Sequence, residues 1–387
     1  MKKQYSRLLF VFVFVLGFFT SFSLHALTDK SYEMMNLLSR IWVLTDQEYV
    51  SEVDEEKALE AAIQGMLSSL DPYTVYLNQD DYQALKVDTY GRFGGVGLEI
   101  TIQKDILTVV SPIEDSPAAK AGILPGDRII KIDDKSTKGM HLSDSVKLMR
   151  GKKGEPVTLT LWRDSENKSL EVKLLRDIIA VKSVKSDLLD GKVAYLRLTN
   201  FQEDSAEEMV KAYQSLLKQA GTLKGVIIDV RNNPGGLLDQ AVSISDLFLK
   251  KGVIVSTKGR RYPKEVKEAT PEGLDFKVPI VILINQGSAS ASEILAAALH
   301  DNKRAKLIGE QSFGKGSVQT VMDLGNKQGL KITIAKYYTP KGKSIAGEGV
   351  PPDYEVENPK EYYKDPFTNT QFDYQKQAAL SFLTSGK

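Results

Sequence analysis

The sequence predicts an α/β core with a mostly parallel sheet and flanking helices, into which a β-rich module is inserted after an N-terminal helical segment. Three observations predict this fold. In residues 177–358, continuous apolar strands alternate with helical stretches, a pattern typical of a parallel sheet covered on both faces. Residues 88–176 hold short strands separated by glycines, and residues 27–87 carry apolar residues at helical spacing.

The composition is that of an ordinary globular protein. The 387 residues are 42% hydrophobic and 26% charged, which excludes disordered and fibrous classes. Lysine and arginine total 51 against 50 for aspartate and glutamate, so no excess of positive charge points to nucleic acid as a partner. The chain has no cysteine and therefore cannot form disulfide bonds.

The first 26 residues are typical of an export signal. Two lysines and an arginine precede the apolar run Leu8–Phe19, as in the charged and hydrophobic regions of a secretory signal peptide. We expect residues 1–26 either to be cleaved as a signal peptide or to remain as a membrane anchor through residues 8–22. Both alternatives predict that the rest of the chain is exported.

Two different periodicities follow the signal. In residues 27–87, the stretches SYEMMNLLSRIWVLTDQEYV and EEKALEAAIQGMLSSLDPYTVYL carry apolar residues at helical spacing, and a proline ends the second helix. In residues 88–176, the strands GRFGGVGLEI, ILTVVSPI, DRIIKIDD and PVTLTLW are interrupted by one helix. Leu142, Val146 and Met149 share a face of that helix.

The predicted core occupies residues 177–358. Its strands include KVAYLRL, GVIIDV and VPIVILIN, and its helices include SAEEMVKAYQSLLKQ, LLDQAVSISDLFL and ASEILAAALHD. The stretch GLKITIAKYYTPKGKSI adds further strands, and residues 359–387 are predicted to be a peripheral segment. In such sheets, functional residues lie where the carboxyl ends of strands meet helix N-termini.

The stretch NQGSASASE, residues 285–293, ends an apolar strand and places serines at every second position. Ser290 and Glu293 fit a capping box, in which each side chain accepts a hydrogen bond from the other residue's amide. The same geometry suits a nucleophile, because a serine at a sharp strand-to-helix turn presents its hydroxyl beside free helix amides. The spacing alone leaves both interpretations open.

A nucleophilic serine needs a base, and the three histidines are poorly placed for that role. His25 lies in the predicted signal and His141 in the β-rich module. His300 is about 15 Å from the serine along the same predicted helix. The remaining amine-type candidate is a lysine, and GEQSFGKGSVQT offers Lys315, which acts as a base only if burial lowers its pKa. The alternative is an ordinary solvated loop lysine.

The same glycine-rich stretch partly matches a phosphate-binding loop. Gly309, Gly314 and Lys315 give the spacing GxxxxGK. However, Gly316 replaces the required serine or threonine, and a strand rather than a helix is predicted to follow. These two departures argue against a nucleotide site.

A second strand-to-helix turn lies in DVRNNPGGLLDQA. A proline shapes this loop, and Gly235 and Gly236 leave amides uncovered at a helix N-terminus. Two such turns from neighbouring strands can converge on one carbonyl oxygen. Taken alone, NPGG indicates only a well-formed loop.

Together these stretches resemble the C-terminal processing peptidases, also called tail-specific proteases, which are serine endopeptidases with a Ser-Lys catalytic pair. The likeness covers nearly the whole chain after the signal. The matching stretches, in order, are LDPYTVYL, GGVGLEI, SPAAKAGILPGDRIIKID, DVRNNPGGLLDQA, GSASASEILAAAL, FGKGSVQ and GEGVPPD. Several independent motifs in one order make the resemblance specific.

The resemblance implies a role for each candidate residue. The family's nucleophile matches Ser290, the middle serine, and its lysine base matches Lys315. The glutamine that positions the lysine amine matches Gln319, and the oxyanion hole is similar to the backbone amides of Gly236 and Ala291. In a straight strand Lys315 and Gln319 would stand about 13 Å apart, so the chain must bend between them.

The β-rich module resembles a PDZ domain of the circularly permuted bacterial kind. The resemblance implies an amide nest for a terminal carboxylate, a strand to which a peptide adds and a helix as the opposite wall. The implied peptide-binding residues are Gly94, Gly95, Val96, Gly97, Leu98, Ile100, Val146 and Met149. The alternative is a module that packs within the protein and binds no peptide.

The leading hypothesis is an exported serine endopeptidase, which recognises the apolar C-terminus of polypeptides through the PDZ domain and cleaves them through an acyl-enzyme. No metal or cofactor is expected. The expected location is the periplasm or the outer face of the cytoplasmic membrane of a bacterium. An activating or adaptor protein and an oligomer stay open as partners. The alternative is a catalytically silent PDZ-containing binding or adaptor protein of the cell envelope.

Overall fold

The computed structural model describes residues 28–385, apart from residues 104, 114, 191, 272–277 and 360–371. The predicted signal or anchor, residues 1–26, lies outside the described residues. The chain divides into two compact units, Met1–Met66 and Leu67–Lys387. All candidate site residues belong to the second unit.

The described part of the first unit is helical. Helix α1 (Asp29–Glu48) is capped by Thr28, whose side chain accepts a hydrogen bond from the Ser31 amide. Helix α2 (Glu55–Ser68) begins with two glutamates, which favour a helix N-terminus. None of the α1 residues is buried. In the described part of the chain, no helix has both the length and the hydropathy needed to cross a bilayer.

The β-rich module follows strand β1 (Val75–Leu77) and helix α3 (Gln79–Tyr90). Its elements are β2 (Arg92–Gly95), β3 (Leu98–Gln103), β4 (Ile106–Pro112), α4 (Pro117–Lys120), β5 (Arg128–Ile132), β6 (Lys135–Ser136), α5 (Leu142–Met149), β7 (Pro156–Arg163), a 3₁₀ turn (Asp164–Glu166), β8 (Lys168–Leu175) and β9 (Asp177–Ala180). Strands β3-β4-β5-β7-β8 form an antiparallel sheet. Strand β2 pairs with β9, so the start and the end of the module lie side by side. In β7, Val157, Leu159 and Leu161 are buried at alternate positions, because one face of the sheet covers the module's own core.

The rest of the second unit is the α/β core. Its elements are β10 (Val184–Leu189), β11 (Val193–Leu198), α6 (Ser205–Ala220), β12 (Gly225–Asp229), α7 (Leu238–Phe248), β13 (Val253–Lys258), β14 (Glu265–Glu268), β15 (Ile280–Ile284), α8 (Ala291–Asp301), β16 (Ala305–Gly309), β17 (Ser317–Gly325), β18 (Gln328–Tyr338), β19 (Tyr354–Glu355) and α9 (Tyr374–Ser385). The core sheet has the order β10-β11-β12-β15-β16-β19. Strand β10 is antiparallel to β11, and the other neighbours are parallel. Every residue of β12 and β15 is buried, as expected for strands covered on both faces.

Helices cover both faces of the core sheet. On one face, α6, α7 and α8 share a buried cluster with strand residues such as Ile228. On the other face, α9 packs Leu380 and Leu383 in a cluster with Ile227. The sequence predicted a peripheral segment over residues 359–387, whereas its described helix belongs to the core. The apolar stripe of α9 is short, and its spacing does not indicate which surface it covers.

A second sheet in the same unit is antiparallel. Its order is β1-β18-β13-β14, and β17 pairs with β18. The extra strands predicted near the end of the core thus form a long hairpin, β17–β18, to which β1 adds from before the module. Strand β17 has an irregular register between Val318 and Gln319. Such a bulge supplies a bend between Lys315 and Gln319.

Candidate active site

The two strand-to-helix turns leave the core sheet at the same edge, because β12 and β15 are parallel neighbours. One turn comprises residues 230–237 and the other residues 285–290. Asn285 ties them together. Its Oδ1 accepts a hydrogen bond from the Asn232 amide at 2.8 Å, and its Nδ2 donates to Asn232 Oδ1 at 2.9 Å. The turns therefore form one continuous surface.

The three serines of the second turn have different environments. Ser288 and Ser292 are fully buried. The Ser288 hydroxyl donates to the Val230 carbonyl at 2.8 Å, and the Ser292 hydroxyl donates to the Asn233 carbonyl at 2.9 Å. Ser290 is half-buried and lines a pocket. Of the three, Ser290 is therefore the one whose side chain faces a space that a substrate can enter.

Ser290 adopts a backbone conformation that is rare outside glycine. Its φ is 53° and its ψ −111°, which is strained for a residue with a side chain and typical of a nucleophile on a sharp turn. A Cβ on Gly235 would lie 2.9 Å from Ser290 Cβ and 3.0 Å from the Ala291 nitrogen. Glycine at position 235 therefore lets the first turn approach the nucleophile. The predicted capping box with Glu293 is also present.

Gly236 and Ala291 carry the amides implied for the oxyanion hole. Ala291 is the first residue of α8, so its N–H has no acceptor within the helix. The residues beside Gly236 make the contacts with Phe201: Phe201 N–H donates to the Gly235 carbonyl at 2.9 Å, and Leu237 N–H donates to the Phe201 carbonyl at 2.8 Å. Among the described residues, neither candidate amide has a hydrogen-bond acceptor. Both are therefore available to a carbonyl oxygen.

Lys315 is half-buried in the loop before β17. Burial holds the pKa of Lys315 below the ordinary lysine value, and the charge of Lys331 lowers it further. The carboxylates of Glu293 and Asp71 act in the opposite direction. The Lys315 ammonium lies 4.7 Å from the centre of the Tyr73 ring, a contact that also favours the charged form. The net direction is the one that a lysine base requires.

Glu293 joins the nucleophile's turn to the lysine's loop, a role that the sequence analysis missed. Its carboxylate is fully buried. Oε2 accepts hydrogen bonds from the amides of Ser290 at 2.8 Å and Lys315 at 2.9 Å. Oε1 accepts from the Gly314 amide at 2.7 Å and the Ser312 hydroxyl at 2.6 Å. The capping box predicted the first of these bonds, but local spacing carries no signal for the others.

Tyr337 reinforces this junction from β18. Its hydroxyl donates to the main-chain carbonyl of Lys315 and lies 3.3 Å from the Ser290 carbonyl and 3.4 Å from Glu293 Oε2. Burial raises the pKa of the Tyr337 hydroxyl well above its ordinary value, so the group stays a proton donor. The sequence carries no functional signal at Tyr337, because an aromatic residue in a strand is typical of a core.

Gln319 belongs to the hairpin beside the lysine. Its Nε2 donates to Ser317 Oγ at 2.7 Å and to Thr333 Oγ1 at 3.3 Å. Both contacts are within the hairpin rather than with the Lys315 amine. The role implied for Gln319, which is to position that amine, stays a prediction.

A pocket of about 370 Å³ brings the five candidate residues together. They are Ser290, Lys315, Gln319, Gly236 and Ala291. Apolar side chains form part of its wall, namely Leu85, Leu237, Leu238, Ile294, Val318 and Val321. The pocket therefore combines a hydroxyl, an amine and free amides with an apolar wall, which suits a peptide carrying an apolar side chain.

The histidines of the described chain lie outside this pocket. His300 is in the last turn of α8, with Nδ1 3.4 Å from Asp301 and Nε2 3.5 Å from Asp353. His141 is exposed at the start of α5. In the described ranges, no group of three or more histidine, aspartate and glutamate side chains is arranged to hold a metal ion.

The β-rich module has a groove of about 220 Å³ between β3 and α5. Most residues implied for peptide binding line it, namely Gly95, Val96, Gly97, Leu98, Ile100, Val146 and Met149. Gly94 lies outside the lining, and its carbonyl accepts a hydrogen bond from the Gly151 amide at 3.2 Å. The groove is therefore walled by apolar side chains on one side and glycine-rich backbone on the other.

Arg150 is a groove residue that the sequence analysis missed. Its guanidinium lies 5.2 Å from the centre of the Phe93 ring, and both residues line the groove. Its Nε is buried and has no hydrogen-bond partner among the described residues. A cation with an unused donor at this position favours a carboxylate. An arginine just after a helix is usually an exposed C-terminal residue, so its position in the sequence carried little signal.

Arg231 connects the first turn to helix α9. Its side chain is 4% exposed and donates to the carboxylate of Asp229. It also donates to Asp373 at 2.9 and 2.8 Å and to Gln375 Oε1 at 2.9 Å. Arg231 immediately precedes residues 232–236, which include an oxyanion candidate. The helix therefore helps to fix the turn on which that amide lies.

Three stretches of the chain match known protein families. Residues 192–356 match peptidase family S41, and residues 108–163 match a PDZ domain. Residues 23–81 match the N-terminal domain of the activating protease CtpB. The matched stretches follow the order of the helical segment, the β-rich module and the α/β core.

Full-length comparisons agree with these matches. The carboxy-terminal-processing protease of Bartonella bacilliformis is 45% identical over 366 residues, which cover 92% of this chain and 84% of that protein. The carboxy-terminal processing protease CtpA of Bacillus subtilis is 38% identical over 348 residues, covering 89% and 73%. The solved structure of a putative S41 protease from Bacteroides fragilis has a TM-score of 0.54 at 16% identity, covering 89% of this chain and 97% of that one. This last likeness concerns the fold alone.

Proposed function

This chain belongs to the carboxy-terminal-processing proteases of peptidase family S41, which makes it a serine-type peptidase, and we propose that Ser290 and Lys315 are its nucleophile and general base. One observation carries this proposal. The pocket that holds the accessible serine of the SASASE turn also holds a half-buried lysine and two free amides. A binding protein has no need of that combination, so the catalytically silent adaptor is not favoured.

The proposed reaction runs through an acyl-enzyme. Neutral Lys315 accepts the proton of the Ser290 hydroxyl while the oxygen attacks the peptide carbonyl carbon. The resulting oxyanion accepts hydrogen bonds from the amides of Gly236 and Ala291. Lys315 then gives its proton to the leaving amine, and the C–N bond breaks. In the second half, Lys315 takes a proton from the water that attacks the ester carbon, and it then gives that proton to the Ser290 oxygen as the ester C–O bond breaks, which restores the serine hydroxyl and the neutral lysine.

The PDZ groove supports a proposal about substrates. Leu98, Ile100, Val146 and Met149 offer an apolar site for the last side chains of a polypeptide. The backbone at residues 95–97 and the guanidinium of Arg150 lie in the same groove, and both favour a terminal carboxylate. We therefore propose that substrates present an apolar C-terminus to this groove and are cleaved in the pocket.

The proposed function includes a location outside the cytoplasm. The basic and apolar start of the chain supports location in the periplasm or on the outer face of the cytoplasmic membrane. The match of residues 23–81 to a domain of an activating protease is compatible with an activator or adaptor partner. The protein would use no metal and no cofactor in this mechanism.

A fluorophosphonate probe tests the catalytic assignment directly. The probe attaches covalently to an activated serine hydroxyl, and peptide mapping locates the label. We expect a single label on Ser290 in the wild-type protein and none in Ser290→Ala or Lys315→Ala, together with digestion of an unfolded protein by the wild type alone. Labelling of another serine, or normal labelling in Lys315→Ala, would contradict the proposed pair.

A further inference from the structure

One face of β18 is directed at the catalytic pocket. Lys331 and Tyr337 of this strand both line the pocket, and Thr333 lies between them on β18. Tyr337 donates to the main chain of Lys315, and Thr333 accepts a hydrogen bond from Gln319. Lys331, at the start of this row, lines the pocket that contains Lys315. A second lysine thus stands in the wall of the catalytic pocket.

Lys331 brings an uncompensated charge to this wall. The pocket lining includes one carboxylate, that of Asp88 on α3. Among the described residues, however, Lys331 has no ion pair with any aspartate or glutamate. Its position on β18 is fixed from both sides, because Val75 of β1 and Val321 of β17 pair with it. The backbone of Lys331 is therefore fixed at the pocket wall, and no ion pair with a described carboxylate offsets the charge of its side chain.

The other groups around Lys315 favour its protonated form. The carboxylate of Glu293 accepts a hydrogen bond from the Lys315 amide, and the charge of Asp71 attracts the ammonium. The Tyr73 ring lies 4.7 Å from the ammonium and adds to that preference. Burial opposes protonation most strongly, and the charge of Lys331 opposes it next. Lys331 is thus the charged group that adds to burial in opposing the two carboxylates.

We propose that Lys331 is a positioning residue for the reaction, whose charge keeps Lys315 in the neutral form that accepts the proton of Ser290. This inference rests on the Ser290–Lys315 mechanism proposed above. A competing interpretation is that Lys331 holds an anionic group of the substrate. The two interpretations predict different effects of pH and of substrate charge.

The test is the pH dependence of kcat/KM, measured with the full chain on a short uncharged peptide that is blocked at both ends. The variants are Lys331→Met, Lys331→Gln and Lys331→Arg. Lys336→Met is the matched control, because Lys336 is an exposed lysine of the same strand that does not line the pocket. A second readout is the rate at which a fluorophosphonate labels Ser290 at each pH.

We expect the two neutral variants to move the rising limb of the profile about one unit towards alkaline pH. At a pH well below that limb, this shift corresponds to about tenfold lower kcat/KM and labelling rate. At high pH their activity should approach that of the wild type, and Lys331→Arg and Lys336→Met should follow the wild-type profile throughout. Circular dichroism identifies any variant that does not fold. Because Lys331→Met and Lys331→Gln differ in polarity but both remove the charge, an equal shift in both variants assigns the effect to the charge.

Three outcomes would overturn the inference. Equal loss at every pH would assign Lys331 a structural role. An unshifted profile, with weaker cleavage only of peptides that carry a free carboxylate, would assign it to substrate binding. An unshifted profile for all substrates would leave it without a role in catalysis. The variant Lys315→Ala distinguishes failure of this inference from failure of the proposed mechanism. If Lys315→Ala is active, the Ser-Lys pair itself is refuted. If Lys315→Ala is inactive and the pH profile of Lys331→Met is unshifted, only the role of Lys331 is refuted.

Discussion

The catalytic pocket and the PDZ groove are assembled in opposite ways. The pocket takes its polar groups from two turns, a loop and a hairpin that are distant in the chain, and the buried carboxylate of Glu293 joins the second turn to the loop. The groove takes most of its lining from two short local stretches, residues 93–100 and helix α5 with Arg150. One substitution in any part of the pocket should therefore impair catalysis as a whole. Each substitution in the groove should instead lower the affinity for a peptide by the contribution of that residue.

The largest expected effect comes from the reacting pair. Ser290→Ala and Lys315→Ala should each lower kcat/KM on an unfolded protein by about 10³-fold or more, because the two residues act as one unit. Digestion followed by gel and by mass spectrometry measures this loss.

The neighbouring serines are the matched controls. Ser292→Ala removes one buried hydrogen bond, and Ser288→Ala removes two, one donated to the Val230 carbonyl and one accepted from the Asn285 amide. They should therefore cost about 1 and about 2 kcal/mol of folding free energy and leave cleavage largely intact. Full activity in Ser290→Ala, or loss confined to Ser292→Ala, would mean that the wrong serine had been chosen.

The next largest effect tests whether the pocket depends on Glu293. Glu293→Gln preserves shape but places an amide N–H group among donors, so some of the bonds to Ser290, Gly314 and Lys315 must be lost. We expect kcat to fall by about 10- to 100-fold and the free energy of unfolding to fall by about 2 kcal/mol.

Glu348→Gln provides the comparison, because Glu348 is exposed in a loop. Steady-state kinetics and thermal unfolding of both variants give the two quantities. A Glu293→Gln enzyme that melts earlier but keeps its kcat would show that the carboxylate stabilises the fold without aligning the catalytic groups.

A smaller effect is expected at the groove. One substrate is made with a free apolar C-terminus, an amidated C-terminus and a polar-ended C-terminus. Loss of the terminal charge should weaken binding by about tenfold, since a charge-assisted hydrogen bond contributes about 1.5 kcal/mol. In Arg150→Gln the difference between the free and the amidated substrate should shrink. Equal cleavage of all three substrates would rule out recognition of the tail.

The smallest effect is expected at the histidines. His141→Gln and His300→Gln should change kcat/KM on a short peptide by less than about twofold, because neither side chain lies in the pocket.

The activity itself should depend on pH through the lysine. Since burial lowers the pKa of Lys315, the neutral form grows as pH rises, and kcat/KM should climb with pH and level off below about pH 10.4. Loss of turnover in either histidine variant would argue against a lysine base.

The same contrast explains what could be predicted from sequence. The strands, the helices and the two turns follow from local periodicity and glycine placement, so their order along the chain was predictable. Spacing left Ser290 undecided between cap and nucleophile, and the choice rested on the family resemblance. Its physical reason is visible only in three dimensions, where Ser288 and Ser292 are buried by contacts with the neighbouring turn.

Residues that act through distant contacts escaped prediction. Glu293, Tyr337 and Arg231 each bind groups supplied by another part of the chain, and no spacing within their own elements reports those partners. Gly94 does not line the groove, and its role in peptide binding stays a prediction. The packing of α9 was missed because a short apolar stripe does not specify its partner.

The contacts between Arg231 and α9 also bear on when the enzyme becomes active. Of all the elements described, α9 is the last to be synthesised. Before α9 is present, Arg231 can bind Asp229 but cannot form its hydrogen bonds to Asp373 and Gln375. The face of the core sheet that contains Ile227 is then still uncovered. We expect a nascent copy to stay inactive until this helix docks. Such a delay would protect neighbouring nascent chains, whose freshly exposed ends resemble the proposed substrates, from premature cleavage.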